Sequence, residues 1–296
     1  MDAMVKAIDG CVNAYFPQFT EKFARFGWWK FLGSDWVNDS RKGWTPESLI
    51  AAMDEGGVAM AGLVAFCAAN AVYGEDCFIP AESLKPIIDS HPGRFFGIVG
   101  LNPLLEIRDQ YFAPRYLERA VRELGFKAAH LALHWYGLEP ADKRLYPIYE
   151  KCLELDVPIV MPLGAAPPRA GGRSVAEPHR LDPVIGDFLD LRIVGQSTGY
   201  PWERESVYLA RNNANFSILA DSPAPEHWIA DFVGFIKLGR FPKYDAGSDQ
   251  VMWGSGFPFH DPTRSRKQFD TLGFNDSIAS QLLRDNAIRI FNLSGQ

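Results

Sequence analysis

Short apolar runs alternate along the chain with longer stretches in which apolar residues recur every three or four positions. The short runs are typical of buried parallel strands, and the longer stretches are typical of the helices that cover them. Eight strands separated by helices are the number that closes a (β/α)8 barrel, so we predict an α/β fold with a single TIM-barrel domain over residues 1–296. The predicted strands are Ala3–Ile8, Met60–Phe66, Phe95–Leu101, Lys127–Leu133, Pro158–Pro162, Leu191–Val194, Asn215–Leu219 and Gln250–Gly254.

Helical signals are clearest at four places. Thr45 followed by Pro46 has the pattern of an N-cap and a first helical residue, and this helix is predicted to run to Glu55. The other predicted helices are Pro114–Gly125, Arg144–Leu155 and Gln281–Phe291.

The segment Phe16–Trp44, after the first predicted strand, is unusually rich in aromatic residues. An aromatic insertion at the carboxyl end of a barrel strand is expected to lie over the pocket mouth or at a subunit contact. The alternative is a packed excursion that covers only its own apolar surface. The residues predicted to form a lid or an interface are Phe26, Trp28, Trp29 and Trp36.

Composition and charge narrow the classes of function. The 296-residue chain has a net charge of −6 and no cluster of Lys and Arg, which argues against a nucleic-acid partner. No apolar run approaches eighteen residues, so we predict no membrane span, and the first residues lack the features of a signal peptide. The four cysteines have no zinc-site spacing, which favours a reducing cytoplasm.

Phrases spread from about residue 5 to residue 293, apart from the aromatic insertion, resemble the amidohydrolase-related family, the decarboxylase-like branch of the amidohydrolase superfamily. Val5–Asn13 resembles the first barrel strand of that family, and Thr45–Val58 resembles the helix before the second strand. The resemblance implies a barrel enzyme fold whose members commonly assemble as dimers or larger oligomers. Further matching phrases are His91–Phe95, Gly100–Pro103, Tyr146–Glu150, Val157–Val160, Gly199–Trp202 and Asp285–Ala287.

The same resemblance indicates where a divalent ion would be bound. The family has histidines at the places of Cys11 and Asn13 in the first strand, and further ligands at three later strand ends. A divalent ion requires imidazole, carboxylate or thiolate donors that converge on it. The five positions therefore predict a lost metal site and no metal cofactor: Cys11, Asn13, Pro162, Ser197 and Gly256.

A few other side chains are candidates for chemistry. His134 and His260 lie at the active end of the predicted barrel, although single histidines more often have structural roles. Asp221 follows the seventh strand, where it would face the pocket mouth or cap the next turn. Tyr15 and Cys11 complete the predicted catalytic set, with Cys11 alternatively filling space.

Three functions follow from this pattern. The first is a non-catalytic subunit, in a homo- or hetero-oligomer, that pairs with and supports a metal-competent related barrel. The second is a metal-independent hydrolase or lyase for a small carboxylated or aromatic substrate, which would need an acid/base pair and a cationic anchor. The third is a small-molecule binding protein that uses the barrel mouth. Fold-level resemblance alone does not choose among them.

Overall fold

A computed structural model of the chain describes residues 5–25, 42–70, 75–104, 109, 111–164, 173–238 and 247–293. Eight parallel strands form one sheet in the order β1-β2-β5-β6-β7-β8-β9-β10, and helices lie between successive strands. The predicted TIM barrel is confirmed. The strands of this sheet are β1 (Ala7–Asn13), β2 (Val58–Ala65), β5 (Phe95–Gly100), β6 (Ala128–His130), β7 (Ile159–Pro162), β8 (Ile193–Gln196), β9 (Phe216–Ala220) and β10 (Val251–Trp253).

All eight predicted strands are present; the bounds of six differ from the prediction by one or two residues, and those of two differ by more. β1 starts at Ala7 and continues to Asn13, because its polar residues Asp9 and Asn13 are buried inside the barrel and extend the strand. The strand predicted over Lys127–Leu133 ends at His130, since the chain turns into the short helix α5 (Leu133–Tyr136).

A two-stranded antiparallel hairpin follows β2 directly and was not predicted. It consists of β3 (Cys67–Asn70) and β4 (Glu75–Phe78), with Cys67 paired with Phe78. This hairpin lies at the carboxyl end of β2, on the side of the barrel where α/β barrels carry their sites.

The four predicted helices are confirmed, with shifts of a few residues. Thr45 caps its helix as expected, because its hydroxyl oxygen accepts a hydrogen bond from the Ser48 backbone N–H at 3.2 Å. The described helices are α1 (Thr20–Arg25), α2 (Pro46–Glu55), α3 (Ala81–Ser90), α4 (Phe112–Arg122), α5 (Leu133–Tyr136), α6 (Tyr146–Glu154), α7 (Asp182–Asp187), α8 (Glu203–Asn212), α9 (Ala230–Lys237), α10 (Pro262–Asp270), α11 (Asp276–Ser280) and α12 (Asn286–Ile290), and a π-helical turn (Gln281–Asp285) joins the last two.

The barrel closes between β1 and β10 through a few specific contacts. Val12 forms an isolated parallel bridge with Phe257, and the Asn13 backbone N–H donates to the Phe257 carbonyl oxygen at 2.9 Å. The Asn13 side-chain amide donates to the same carbonyl at 2.8 Å. On the other side of Val12, the Gly256 N–H donates to the Cys11 carbonyl at 3.2 Å and the Ser255 N–H donates to the Asp9 carboxylate at 2.9 Å. We call these contacts the seam.

None of the helices in the described ranges is long and apolar enough to cross a lipid bilayer.

Candidate functional site

Polar side chains from several strand ends meet inside the barrel and form one hydrogen-bonded cluster. Gln196, the last residue of β8, lies at its centre. Its amide nitrogen donates to the Asp221 carboxylate at 2.7 Å and to the Cys11 sulfur at 3.1 Å. Its amide oxygen lies 2.9 Å from Nε2 of His130. One amide therefore connects β1, β6, β8 and the end of β9. We call the five residues Cys11, His130, Gln196, Asp221 and Asp9 the central network.

Asp221 follows β9 directly and points inward, where it is almost completely buried. Besides Gln196, the Ser197 hydroxyl donates to its carboxylate at 3.3 Å. Burial raises the pKa of Asp221 to about 6, against the lowering effect of these donors. The sequence-based alternatives were a side chain at the pocket mouth or a turn cap; the structure shows it buried and hydrogen-bonded to Gln196 and Ser197. Its catalytic role stays a prediction.

Asp9 is the second buried carboxyl group of the barrel centre. One of its oxygens accepts hydrogen bonds from the backbone N–H groups of Cys11 and Ser255, at 3.2 and 2.9 Å. Its other oxygen has no hydrogen-bond partner among the described residues. Burial raises the pKa of Asp9 to about 7, and the Asp221 charge adds to this rise. Burial therefore favours the protonated form of this carboxyl group.

The Cys11 thiol is unsuited to nucleophilic attack. It is buried, and burial raises its pKa well above the ordinary value, with the nearby Asp221 and Asp9 carboxylates raising it further. A thiol reacts as the thiolate, which requires a lowered pKa. These surroundings favour the predicted alternative, in which Cys11 is a neutral, space-filling group; its catalytic role stays a prediction.

His130 and His134 are both buried and neutral. Burial lowers the pKa of His130 to about 4, and it lowers the pKa of His134 to about 3 with a further contribution from His130. Nδ1 of each ring is buried without a hydrogen-bond partner among the described residues. His134 thus lies near the network through His130, while its ring packs against Trp135 with a centroid distance of 5.5 Å.

Tyr15 and His260 are not part of the central network. Tyr15 is buried against Phe23, with ring centroids 5.1 Å apart, and burial raises its pKa. The pKa of His260 is lowered by burial and by the neighbouring His227 and Arg264, which places this ring beside the outer helix α10. Of the predicted catalytic residues, the structure therefore brings Cys11 and Asp221 into direct contact with the network, and His134 close to it.

The predicted ligand positions do not fit a divalent ion. Asn13 donates its amide to the seam, Ser197 donates its hydroxyl to Asp221, and Pro162 has no side-chain donor atom. Within the described residues, no group of three or more His, Cys, Asp or Glu side chains is placed to hold a metal ion. The loss of the metal itself stays a prediction, but the donor chemistry at these positions supports it.

At Gly256, a steric effect also excludes a metal-binding side chain. Its backbone has a φ of +64°, and a Cβ placed here would lie 2.7 Å from the Asp221 carbonyl oxygen. Real side chains do not tolerate such an approach to a backbone atom. The carboxylate that the family resemblance expects at this position therefore has no room in this backbone.

The predicted lid or interface residues Phe26, Trp28, Trp29 and Trp36 lie outside the described residues.

Comparison with known proteins agrees with this architecture. The sequence profile described as "Amidohydrolase" matches residues 77–293, which is well over half of the chain. The chain belongs to the amidohydrolase family. A comparison with curated proteins found no match.

Solved structures similar to this family member share its fold. An uncharacterised TIM-barrel protein from Bordetella bronchiseptica is 19% identical with a TM-score of 0.76, over 98% of this chain and 99% of that one. A dihydroxybenzoic acid decarboxylase from Polaromonas, solved with bound manganese, is 17% identical with a TM-score of 0.69, over 99% and 98%. A 5-carboxyvanillate decarboxylase from Sphingomonas paucimobilis is 17% identical with a TM-score of 0.68, over 97% and 99%.

Three members of the central network, Asp9, His130 and Gln196, are not among the predicted catalytic residues. Asp9 was recognised only as part of a family phrase, and Gln196 only as the neighbour of Ser197. A signal for both was present: each is a polar residue within or at the end of an otherwise apolar barrel strand, and a buried polar group requires a partner.

Proposed function

We propose that this chain is a metal-free amidohydrolase barrel that does not carry out metal-dependent chemistry and serves as a non-catalytic subunit beside a metal-competent related barrel. This proposal rests on one observation: residues at the predicted ligand positions are engaged in interactions that do not leave them free to bind an ion. Asn13 fastens the seam, Ser197 bonds Asp221, and the Cys11 thiol is held neutral. A subunit of this kind retains the outer fold and loses only the ion-binding centre.

The similar decarboxylases suggest the chemistry of the partner. The Polaromonas enzyme acts on dihydroxybenzoic acid and contains manganese. We therefore propose that the partner of this chain is a family member with intact metal ligands that acts on a small aromatic carboxylate. The predicted aromatic residues Trp28 and Trp29 are the proposed contact between the two barrels.

Metal analysis tests the first half of the proposal. The purified chain is incubated with Mn²⁺ or Zn²⁺ and desalted, and its metal content is measured by inductively coupled plasma mass spectrometry. A metal-competent family member receives the same treatment as the control. We expect far less than one ion per chain here and about one per chain in the control. One tightly held ion per chain here would overturn the proposal.

Co-expression with a metal-competent family member from the same genome tests the second half. We expect the two barrels to elute together, and the double substitution Trp28→Ala and Trp29→Ala to separate them without changing the melting temperature of this chain. Decarboxylation of the aromatic carboxylate should require the metal ligands of the partner. Separate elution of the unaltered chains, at micromolar concentration, would contradict a partner role.

A metal-independent hydrolase or lyase is the second candidate, and a specific observation favours it. Asp9 and Asp221 are two neighbouring buried carboxyl groups whose pKa values, about 7 and about 6, suit proton transfer near neutral pH. The test is an assay of the isolated chain on aromatic carboxylates with a chelator present. Turnover that disappears in Asp221→Asn would establish this function and remove the non-catalytic one.

A further inference from the structure

The orientation of the Gln196 amide is determined by its surroundings. Asp221 offers only acceptor atoms when ionised, so the amide nitrogen must face it at 2.7 Å. The second N–H of the same nitrogen is directed to the Cys11 sulfur at 3.1 Å. The amide oxygen therefore faces Nε2 of His130, and this oxygen can only accept. Both donors and the acceptor of the amide are thus used.

This orientation dictates the protonation of His130. Because the Gln196 oxygen accepts, Nε2 of His130 must carry the proton and donate it across 2.9 Å. Nδ1 then keeps its lone pair, buried and without a partner in the described part of the chain. The ring is in the neutral Nε2–H form.

The network also draws together three of the five predicted ligand positions. Cys11 contacts Gln196 directly, and Ser197 donates to the same Asp221 carboxylate that Gln196 binds. Gly256 lies so close to the Asp221 backbone that no side chain fits between them. A cross-link between strand ends, which a bound cation provides in a metal-binding barrel, is provided here by one amide.

We infer that Gln196 is a positioning residue that replaces a metal ion as the link between the strand ends and holds His130 as the neutral Nε2–H tautomer. This inference concerns the isolated chain and holds whether or not the chain has a partner subunit. A failure of the partner proposal would therefore leave it unaffected.

Substitution of Gln196 by methionine tests the inference, since methionine keeps the size and removes all three hydrogen bonds. The control is Gln250→Met, because Gln250 is a buried glutamine outside the central network and its amide also makes side-chain hydrogen bonds, with the Ser217 hydroxyl at 3.1 Å and the Ala214 carbonyl at 2.9 Å, near the start of β10. We expect each substitution to lower the melting temperature by about 4–10 °C. Only Gln196→Met should change His130.

The readout is the tautomer of His130, measured by ¹⁵N-resolved NMR of the histidine rings, with His130→Gln used to assign the signal. We expect a single Nε2–H form in the unaltered chain and in Gln250→Met, and a mixture of tautomers in Gln196→Met. An Nδ1–H form in the unaltered chain, or an unchanged ring in Gln196→Met, would overturn the inference. Addition of a chelator should leave the spectrum and the melting temperature unchanged; a change in either would overturn the claim that no ion provides the link.

Gln196→Glu provides a second test should the methionine variant fail to fold. A carboxylate at this position offers His130 an acceptor with negative charge and offers Asp221 no donor. We expect the pKa of His130 to rise by at least one unit in the NMR titration. An unchanged titration of His130 would show that residue 196 does not control the ring.

Discussion

Replacing Gly256 with aspartate would restore the carboxylate that the family resemblance expects, and we predict that it destabilises the barrel instead of building a metal site. The matched control is Gly273→Asp. The two glycines have nearly the same backbone, with φ values of +64° and +65°, but a Cβ at Gly273 would meet nothing within 4 Å. Comparison of the pair therefore removes the cost of the left-handed conformation.

The magnitude follows from the contacts. The left-handed conformation costs an aspartate on the order of 1 kcal/mol at either position. At Gly256, the Cβ would also lie 2.7 Å from the Asp221 carbonyl oxygen. Relieving such a contact requires a backbone shift that costs roughly 1–3 kcal/mol, and the new carboxylate would lie beside the buried Asp221. We expect Gly256→Asp to lower the free energy of unfolding by about 2 kcal/mol or more beyond Gly273→Asp.

Urea unfolding followed by tryptophan fluorescence measures this difference. With a slope near 2–3 kcal/mol per molar urea, 2 kcal/mol corresponds to a midpoint lower by about 0.7–1 M. The alanine variants at the same two positions separate the steric part from the charge, since only the steric part remains. Equal midpoints for Gly256→Asp and Gly273→Asp would refute the reasoning, and so would uptake of one tightly bound ion by Gly256→Asp.

Three further predictions follow from single residues. Burial penalises the protonated His130 ring, so its pKa falls from 6.5 in the unfolded chain to about 4 in the folded one. The free energy of unfolding should therefore increase by on the order of 3 kcal/mol as pH rises from 4 to 6.5. The stability lost in His130→Gln, measured by urea unfolding, should therefore be larger at pH 7 than at pH 4.5; an equal loss at both would contradict the shift. All four cysteines are buried, so a thiol reagent at pH 8 should label the native chain only as fast as it unfolds, and faster labelling of Cys11 would show that the central network opens locally. Thr45→Ala should lower the free energy of unfolding by about 1 kcal/mol, because the Ser48 backbone N–H loses the Thr45 hydroxyl as its hydrogen-bond acceptor. An unchanged urea midpoint would show that this helix needs no cap.

The fold could be predicted from the sequence because its strands are apolar and because a capping residue followed by proline marks the start of a helix. Thr45 and Pro46 mark a helix start that the structure reproduces. The prediction was incomplete where polar residues or a proline occur inside an element of secondary structure. The strand predicted over Ala3–Ile8 left out Asp9 and Asn13, which the family resemblance placed in the first strand and which do lie in β1. The helix Ala81–Ser90, which contains Pro86, was not predicted.

The candidate site was predictable only in part. The resemblance indicated Cys11 and Ser197. Cys11 belongs to the central network, and the Ser197 hydroxyl donates to its Asp221 carboxylate. It could not indicate Gln196, because no pairing of side chains across strands 185 residues apart is encoded in local spacing. Nor could it indicate that His260 lies beside α10 and outside the central network, since the direction of a side chain in a loop depends on packing.

The seam has a consequence for any attempt to introduce a ligand at residue 13. Asn13, at one predicted ligand position, links the first strand to the segment after the last strand through two hydrogen bonds to Phe257. A histidine at this position would lose the side-chain bond, so the closure of the barrel would weaken before any ion could compensate. The same side chain that a designer would exchange to bind an ion is therefore one that the barrel needs in order to stay closed.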